Sequence, residues 1–314
     1  MLVRTPLPKW PTLHHERQFN GVVCGIDEAG VAPLAGPVVA AAVTLPSDSK
    51  PRILRGLTDS KLLAADERER FYAIIQRIAQ VGVGIASVDE IDEINIYHAN
   101  MRAMQRAFDA LPERPEFALV DGRAKPPVDC AVQTIVKGDR RSLSIAAASV
   151  VAKVTRDRLM HALADSFPDY GWHTNVGYGT DAHYLGLLRN GPTEHHRRSF
   201  APLNTIFAPM AIAWHRFRFV QIDVEIDPAG VELFFLRNDL HAVFDAKGRH
   251  VGIVKNLRGG WTFQAIGYDP DGRPLTGAGP CSHHHGLRLD SPDRQALVQR
   301  LSPDGRQAPK TRSA

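Results

Sequence analysis

The chain has 314 residues, 44% of them hydrophobic, and a formal net charge of only +4. That length holds one large domain or two smaller ones, and the composition excludes a fibrous or wholly disordered chain. The pI of about 9.0 permits a polyanionic partner without requiring one. Cys24, Cys130 and Cys281 are far apart with no CxxC pair, which excludes a disulfide framework and suits a reducing cytoplasm. Residues 1–18 lack the apolar core of a signal peptide, and the apolar stretch 31–46 is too short and too proline-rich to span a membrane. A cytoplasmic location with no membrane partner is expected.

Taken in order, 22–27 and 38–45 are apolar strand candidates joined by a Pro/Gly turn, so they should be antiparallel neighbours. A helix is expected over 66–79, a short Gly-containing strand over 81–87 and a second helix over 91–111. Strands follow at 117–121 and 131–137, then a long helix over 142–166 and a shorter one over 181–189. This alternation predicts a mixed α/β sheet flanked by helices. Composition shifts after residue 202. From there short strands are expected at 217–226, 231–237, 240–244, 250–255 and 261–268, with turns at 245–248 and 269–272. A closing helix over 291–301 would take Ser291 as its cap and Pro292 at its first position. The expected division is a catalytic domain over 19–209, a small β-rich domain over 210–302 and a disordered tail over 303–314.

The most informative feature is Asp27-Glu28, which closes the apolar run from Val22 to Ile26 just before Gly30. Carboxylates at a buried strand end are costly unless their charge is compensated, and a hard divalent cation with oxygen ligands is the usual compensator. Asp121 and Asp139 stand at the ends of two more predicted strands. If the three strand ends adjoin, the acids converge, and two metals between them could drive phosphodiester hydrolysis. Neighbouring side chains on a strand point to opposite faces, so Asp27 and Glu28 share one site only where the strand ends or bends; otherwise Glu28 would offer its carbonyl.

Several ordered blocks carry a resemblance: Gly25-Ile-Asp-Glu-Ala-Gly30, Pro33-Leu-Ala-Gly-Pro-Val-Val39, Asp59-Ser-Lys61, Val120-Asp-Gly122, Val136-Lys-Gly-Asp139, the run from Ser142 to Asp157, Gly177-Tyr-Gly-Thr180 and His196-Arg-Arg-Ser-Phe-Ala-Pro202. Together they resemble the ribonuclease HII family, the bacterial type 2 RNase H group, from Gly25 to about Leu203. The resemblance implies an RNase H-like mixed five-stranded sheet, and the small β-rich unit read from the strand pattern lies outside it. It also implies an endonuclease, a hydrolase, that cuts the RNA strand of RNA–DNA hybrids with Mg²⁺ or Mn²⁺; a monomer is expected. It assigns Asp27, Glu28, Asp121 and Asp139 as catalytic metal-binding acids, Asp27 and Asp139 positioning water. Tyr178 matches a tyrosine that stacks beside the nucleotide at the cut, and Lys61, Ser149 and Lys153 match phosphate contacts.

Two departures stand out. The family's Gly-Arg-Gly turn, which reads the ribose 2′-hydroxyl largely through backbone groups, is here Gly30-Val31-Ala32. Val31 forfeits a guanidinium and Ala32 adds a Cβ where a glycine's φ > 0 or close approach is expected. An alternative is therefore a catalytically weakened hybrid-binding protein of the same fold, and another is a two-metal nuclease acting on structured DNA. The second departure is the segment beyond about residue 216. Ser142, Ser149, Lys153 and Arg156 fall near one helical face and could line a phosphate groove or form a solvated stripe. His195-His196-Arg197-Arg198 could touch phosphate, His283-His284-His285 reads as a surface loop, and Trp261 either packs the small sheet or stacks on a base.

Overall fold

The computed structural model describes residues 7–46, 51–201, 203–204, 230–245, 249–257, 260–268, 274–278 and 281–301. The expected strand 217–226, the boundary at 209/210, the centres of the turns at 245–248 and 269–272 and the tail after 302 lie outside them. Two compact units are present: 1–179 with 193–199, and 180–192 with 200–314.

The first unit is built on a five-stranded sheet in the order β3-β2-β1-β4-β5. Its strands are β1 (Val23–Ala29), β2 (Val38–Thr44), β3 (Gln80–Ala86), β4 (Phe117–Asp121) and β5 (Ala131–Ile135). β1, β2 and β3 pair antiparallel, whereas β1, β4 and β5 run parallel. This is the expected mixed sheet. The parallel trio sets its C-terminal ends side by side, and with them the acids those ends carry.

Four helices accompany the sheet: α1 (Ala65–Ile78), α2 (Val88–Asp109), α3 (Leu143–Ser166) and the one-turn α4 (Trp172–Asn175). α2 starts three residues before the expected Ile91, because Ser87 and Glu90 cap it reciprocally: Ser87 Oγ accepts the Glu90 N–H at 3.2 Å, and the Glu90 carboxylate accepts the Ser87 N–H at 3.0 Å. It is also broken at Asn95, whose φ of 64° leaves the helical region. The Asn95 side chain accepts the N–H groups of Tyr97 and His98 and so restarts the next turn.

α3 is a core helix. Residues Leu143 to Ala152 are all buried, and their predominance of Ala and Val fits close packing on the strands. Gly25 on β1 makes that approach possible, since a Cβ there would stand 2.2 Å from the backbone of Ser144. The expected polar stripe of α3 is therefore not a solvated face: Ser142, Ser149 and Arg156 are buried. Ser142 caps the helix, accepting the Ile145 N–H, and donates to Glu16 at 2.6 Å.

The second unit is an antiparallel meander, β10-β9-β8-β7-β6, with β11 paired to β9. Its strands are β6 (Glu232–Arg237), β7 (Leu240–Phe244), β8 (His250–Leu257), β9 (Gly260–Tyr268), β10 (Pro274–Thr276) and β11 (Leu287–Leu289). The last two are too short to show in sequence pattern. A core of Val243, Val254, Phe263 and Ala265 packs with Leu297 and Leu301 of α6 (Arg294–Leu301), and Trp261 rests against it, as the packing alternative expected. Asp245 binds the N–H and guanidinium of Arg249, holding together the flanks of the β7–β8 connection. The closing helix starts later than expected. Asp293, not Ser291, accepts the Ala296 N–H at 2.7 Å, and Ser291 donates to Asp293 instead. α5 (Asp181–Asn190) belongs to this unit, where Asp181 pairs with Lys255.

Candidate active site

Asp27 does not end its strand. β1 continues through Glu28 to Ala29, with Asp27 opposite Ala41 and Glu28 opposite Ala40. The alternation rule then applies in full, and the two acids leave the sheet on opposite faces. Asp27, on the α3 side like Gly25, is hydrogen-bonded by Ser149; Glu28 is hydrogen-bonded by Asn100 of α2. Both nevertheless line one cleft of about 410 Å³ with Asp121 and Asp139. The alternative in which Glu28 offers only its carbonyl is not needed.

Asp121 ends β4 beside them. Its carboxylate accepts the Gly138 N–H at 2.6 Å, and the neighbouring backbone of Asp139 and Gly122 also favours its charged form. Asp139 reaches it by a bend rather than a strand end. β5 stops at Ile135, two residues short of the expected Lys137. Lys137 then takes a left-handed φ of 57° and turns the chain into a 3-10 turn, Gly138–Arg140. This bend folds Asp139 back toward Asp121.

All four acids are held above the ordinary carboxylate range. Burial is the largest cause in each case. For Asp27 the charges of Glu28 and Asp121 add to it; for Glu28, pushed up to about 7, Asp121 adds. Burial also raises Asp121, against the Gly138 N–H and the neighbouring backbone. Asp139 is pushed up to about 7, with Asp59 and then Asp121 adding to burial. Lys61 opposes the rise at Glu28, Asp121 and Asp139, so its charge is felt at three of the four acids. Among the described residues no three acid, histidine or cysteine groups stand already drawn into a ligand cage. The donor set nonetheless fits hard divalent cations: oxygen-only, buried or half-buried carboxylates whose like charges an ion would relieve.

The remaining expected residues also line the cleft: Gly30, Val31, Ala32, Lys61, Ser149, Lys153 and Tyr178. Ser149 Oγ lies 3.0 Å from Ser60 Oγ, tying the Asp27 side of α3 to the turn that carries Lys61. Lys153 is paired with Asp157 at 2.7 Å. Tyr178 is 41% exposed, as a stacking surface requires, and so is Val31, at 37%. Ala32 is not strained: among the described residues only Asn95, Lys137 and Val176 combine a side chain with positive φ.

Arg156, His196 and Arg197 are corrections. Arg156 and Arg197 are 1% and 0% exposed and donate to backbone carbonyls, and His196 is equally buried with its Nδ1 at Thr193. None is free to meet phosphate. Asp59, Arg68 and Asn100 were missed. Arg68, at the cleft wall, donates to the carbonyls of Ser60 and Leu63. Only Asp59 left a signal, the Asp59-Ser60-Lys61 block. His283-His284-His285 falls in and just after a short 3-10 turn in the other unit. A larger, mostly apolar hollow of about 570 Å³, lined by Leu13, Phe19, Val23, Leu45 and Ile78 among others, contains none of the four acids.

The model of the family described as Ribonuclease HII matches residues 24–203, more than half of the chain. The chain belongs to the ribonuclease HII family. A ribonuclease HII of Parvibaculum lavamentivorans is 50% identical over 210 residues, covering 66% of this chain and 77% of the relative. That of Paramagnetospirillum magneticum is 53% identical over 194 residues, covering 62% and 96%. Among solved structures, the ribonuclease H2 of Pyrococcus horikoshii matches with a TM-score of 0.52 at 25% identity, covering 58% of this chain and 95% of that one. A Bst-RNase HIII solved with Mn²⁺ matches with a TM-score of 0.51 at 20% identity, covering 62% and 71%, which speaks for the fold. The protein is thus a divalent-metal-dependent endoribonuclease that hydrolyses the RNA strand of RNA–DNA hybrids. The ribonuclease HII match includes α5 and stops short of the β6–β11 meander. Among the described residues no helix is long and apolar enough to cross a membrane.

Proposed function

We propose that Asp27, Glu28, Asp121 and Asp139 are the acids through which this chain cuts its hybrid, holding a pair of Mg²⁺ or Mn²⁺ ions in the cleft where β1, β4 and β5 end. The observation that carries this reading is the convergence of four carboxylates, one buried and three half-buried, from two parallel strands and one bend, on a single cleft. When bound, such ions activate a water and stabilise the leaving oxygen of a phosphodiester. Asp27, fixed by Ser149, and Asp139, carried by the bend after Lys137, orient the attacking water. Asp121 and Glu28 complete the oxygen set. Lys61 and Lys153 supply positive charge for the phosphates, Ser149 adds a hydroxyl, and Tyr178 offers its ring face to the nucleotide beside the cut. The turn Gly30-Val31-Ala32 meets the ribose. Its unstrained Ala32 favours a working turn over the weakened binding protein.

Residues 19–209 are the proposed catalytic domain and 210–302 a separate β-rich domain, in a protein acting as a cytoplasmic monomer. The test is cleavage of an end-labelled RNA–DNA hybrid with Mg²⁺ or Mn²⁺, by the full chain and by Asp27→Asn. Cleavage by the former and its loss in the latter are expected. An Asp27→Asn protein that cuts at the normal rate would remove Asp27 from the site.

A further inference from the structure

Two buried arginines stand directly behind the cleft. Arg197 donates from Nε to the Gly36 carbonyl at 2.9 Å, from Nη1 to Val31 at 2.9 Å, and from Nη2 to Gly30 at 2.5 Å and Pro37 at 3.3 Å. Arg156 donates to Pro37 at 3.0 Å, Val176 at 2.9 Å and Ala35 at 3.0 Å. One planar fork with fixed donor directions thus holds much of the 30–37 loop, as a lysine could not. The Arg197 backbone is itself fixed. Its N–H donates to Leu34, the His195 carbonyl accepts from Gly36, and Asp92 takes the N–H groups of Arg198 and Ser199.

A trans peptide unit points its C=O and its N–H in opposite directions. The Gly30 carbonyl shares its unit with the Val31 N–H, and the Val31 carbonyl shares its unit with the Ala32 N–H. With both carbonyls drawn inward by Arg197, both N–H groups are turned to the cleft that these residues line. Gly30 has to be glycine for this geometry: its φ is +99°, and a Cβ there would stand 2.1 Å from Arg156 Nε. Arg156 extends the same grip to the loop of Tyr178, through the carbonyl of Val176. That residue is β-branched yet sits at φ 42°, ψ 39°, a conformation that costs about 1–3 kcal/mol unless its surroundings impose it.

We infer that Arg197, supported by Arg156, is a positioning residue for ribonucleotide recognition: it aims the Val31 and Ala32 amides at the substrate, so that backbone geometry substitutes for a side chain that this turn lacks. The inference rests on the proposed contact between this turn and the ribose. Its test uses binding, which separates it from the cleavage assay. The full chain would be compared with Arg197→Lys, both carrying Asp139→Asn so that no strand is cut. The readout is the Kd ratio between a DNA duplex with one ribonucleotide and the same duplex without it. Arg197→Lys keeps the charge and is expected to lower the ribonucleotide preference about tenfold, the scale of one lost hydrogen bond, while affinity for all-DNA duplex holds. Asp92→Ala, on a partly exposed support, should lower it less and serves if Arg197→Lys does not fold. An unchanged ratio, an equal loss on both duplexes, or no ribonucleotide preference with the clamp intact would overturn the inference. Failure to cut hybrid, with the ratio behaving as expected, would instead count against the proposed function.

Discussion

The chain carries two sheets of opposite logic. In the first, β1, β4 and β5 are parallel, so their C-terminal ends open side by side, and residues as far apart in sequence as Asp27 and Asp121 meet in one cleft. In the second, every pairing among the described residues is antiparallel and most neighbours are sequential, so successive ends alternate between the two edges. A meander brings near neighbours together; parallel strands bring distant ones together. The contrast shows in the polar groups each buries. The first unit concentrates like charge, with four acids raised by burial and three of them further by neighbouring carboxylates. The second pairs Asp245 with Arg249 across a hairpin and, among the described residues, also buries the imidazoles of His183 and His250 beside an apolar core.

Three measurements sharpen or break that contrast. The largest effect is expected at Asp121, where the Gly138 N–H, the neighbouring backbone of Asp139 and the fields of Asp27 and Glu28 meet. Asp121→Asn should reduce hybrid cleavage by about 10³-fold, roughly 4 kcal/mol of barrier, and leave amide-exchange protection of β7 and β8 unchanged. A loss of less than tenfold would show that the parallel ends do not act as one site. Next is His250. Burial is the main cause that lowers it to about 4 from the ordinary 6.5, so its contribution is present above pH 6.5 and is lost as pH falls toward 4. Because the unfolded chain takes up that proton first, the second unit should lose roughly 3 kcal/mol of stability over this window. Protection factors of β7 and β8 amides, which remove the intrinsic pH dependence of exchange, read it, and factors that stay constant between pH 7 and 4.5 would contradict it. The smallest effect has the opposite sign. Asp139 is raised to about 7, so the wild type loses stability as pH rises through 7. Asp139→Asn removes that loss and should raise the metal-free melting temperature by about 2–4 °C at pH 8, with the gain shrinking as pH falls toward 4. A lower melting temperature at pH 8 would mean that Asp139 stabilises the fold as well as the site.

Much of this was legible in the chain because it is written locally. Apolar runs marked β1, β2 and β4 to within a residue or two, and the acids announced themselves by standing at the ends of such runs. What could not be read depends on partners far along the chain. Arg156 and Arg197 look like phosphate ligands until the 30–37 loop supplies their carbonyl acceptors. The bend at Lys137 and the break at Asn95 are single positive-φ residues inside otherwise regular patterns. Lys137 is left-handed and Asn95, at ψ 164°, lies in a region kept almost wholly for glycine, so neither residue type gave a hint. The capping pair Ser87 and Glu90 was present in the sequence and would have placed the start of α2 correctly.

Because Asp27 and Glu28 leave β1 on opposite sides, the ion-holding edge is answerable to both helical layers at once, through Ser149 on one and Asn100 on the other. Sliding β1 by a single position against β2 would exchange the layers that the two acids address and bring Ile26 to the side where Asp27 now stands. Sequence drift in the surrounding loops can be absorbed, but an inserted or deleted residue between Val23 and Ala29 cannot. The strand works as a ruler with a two-residue graduation.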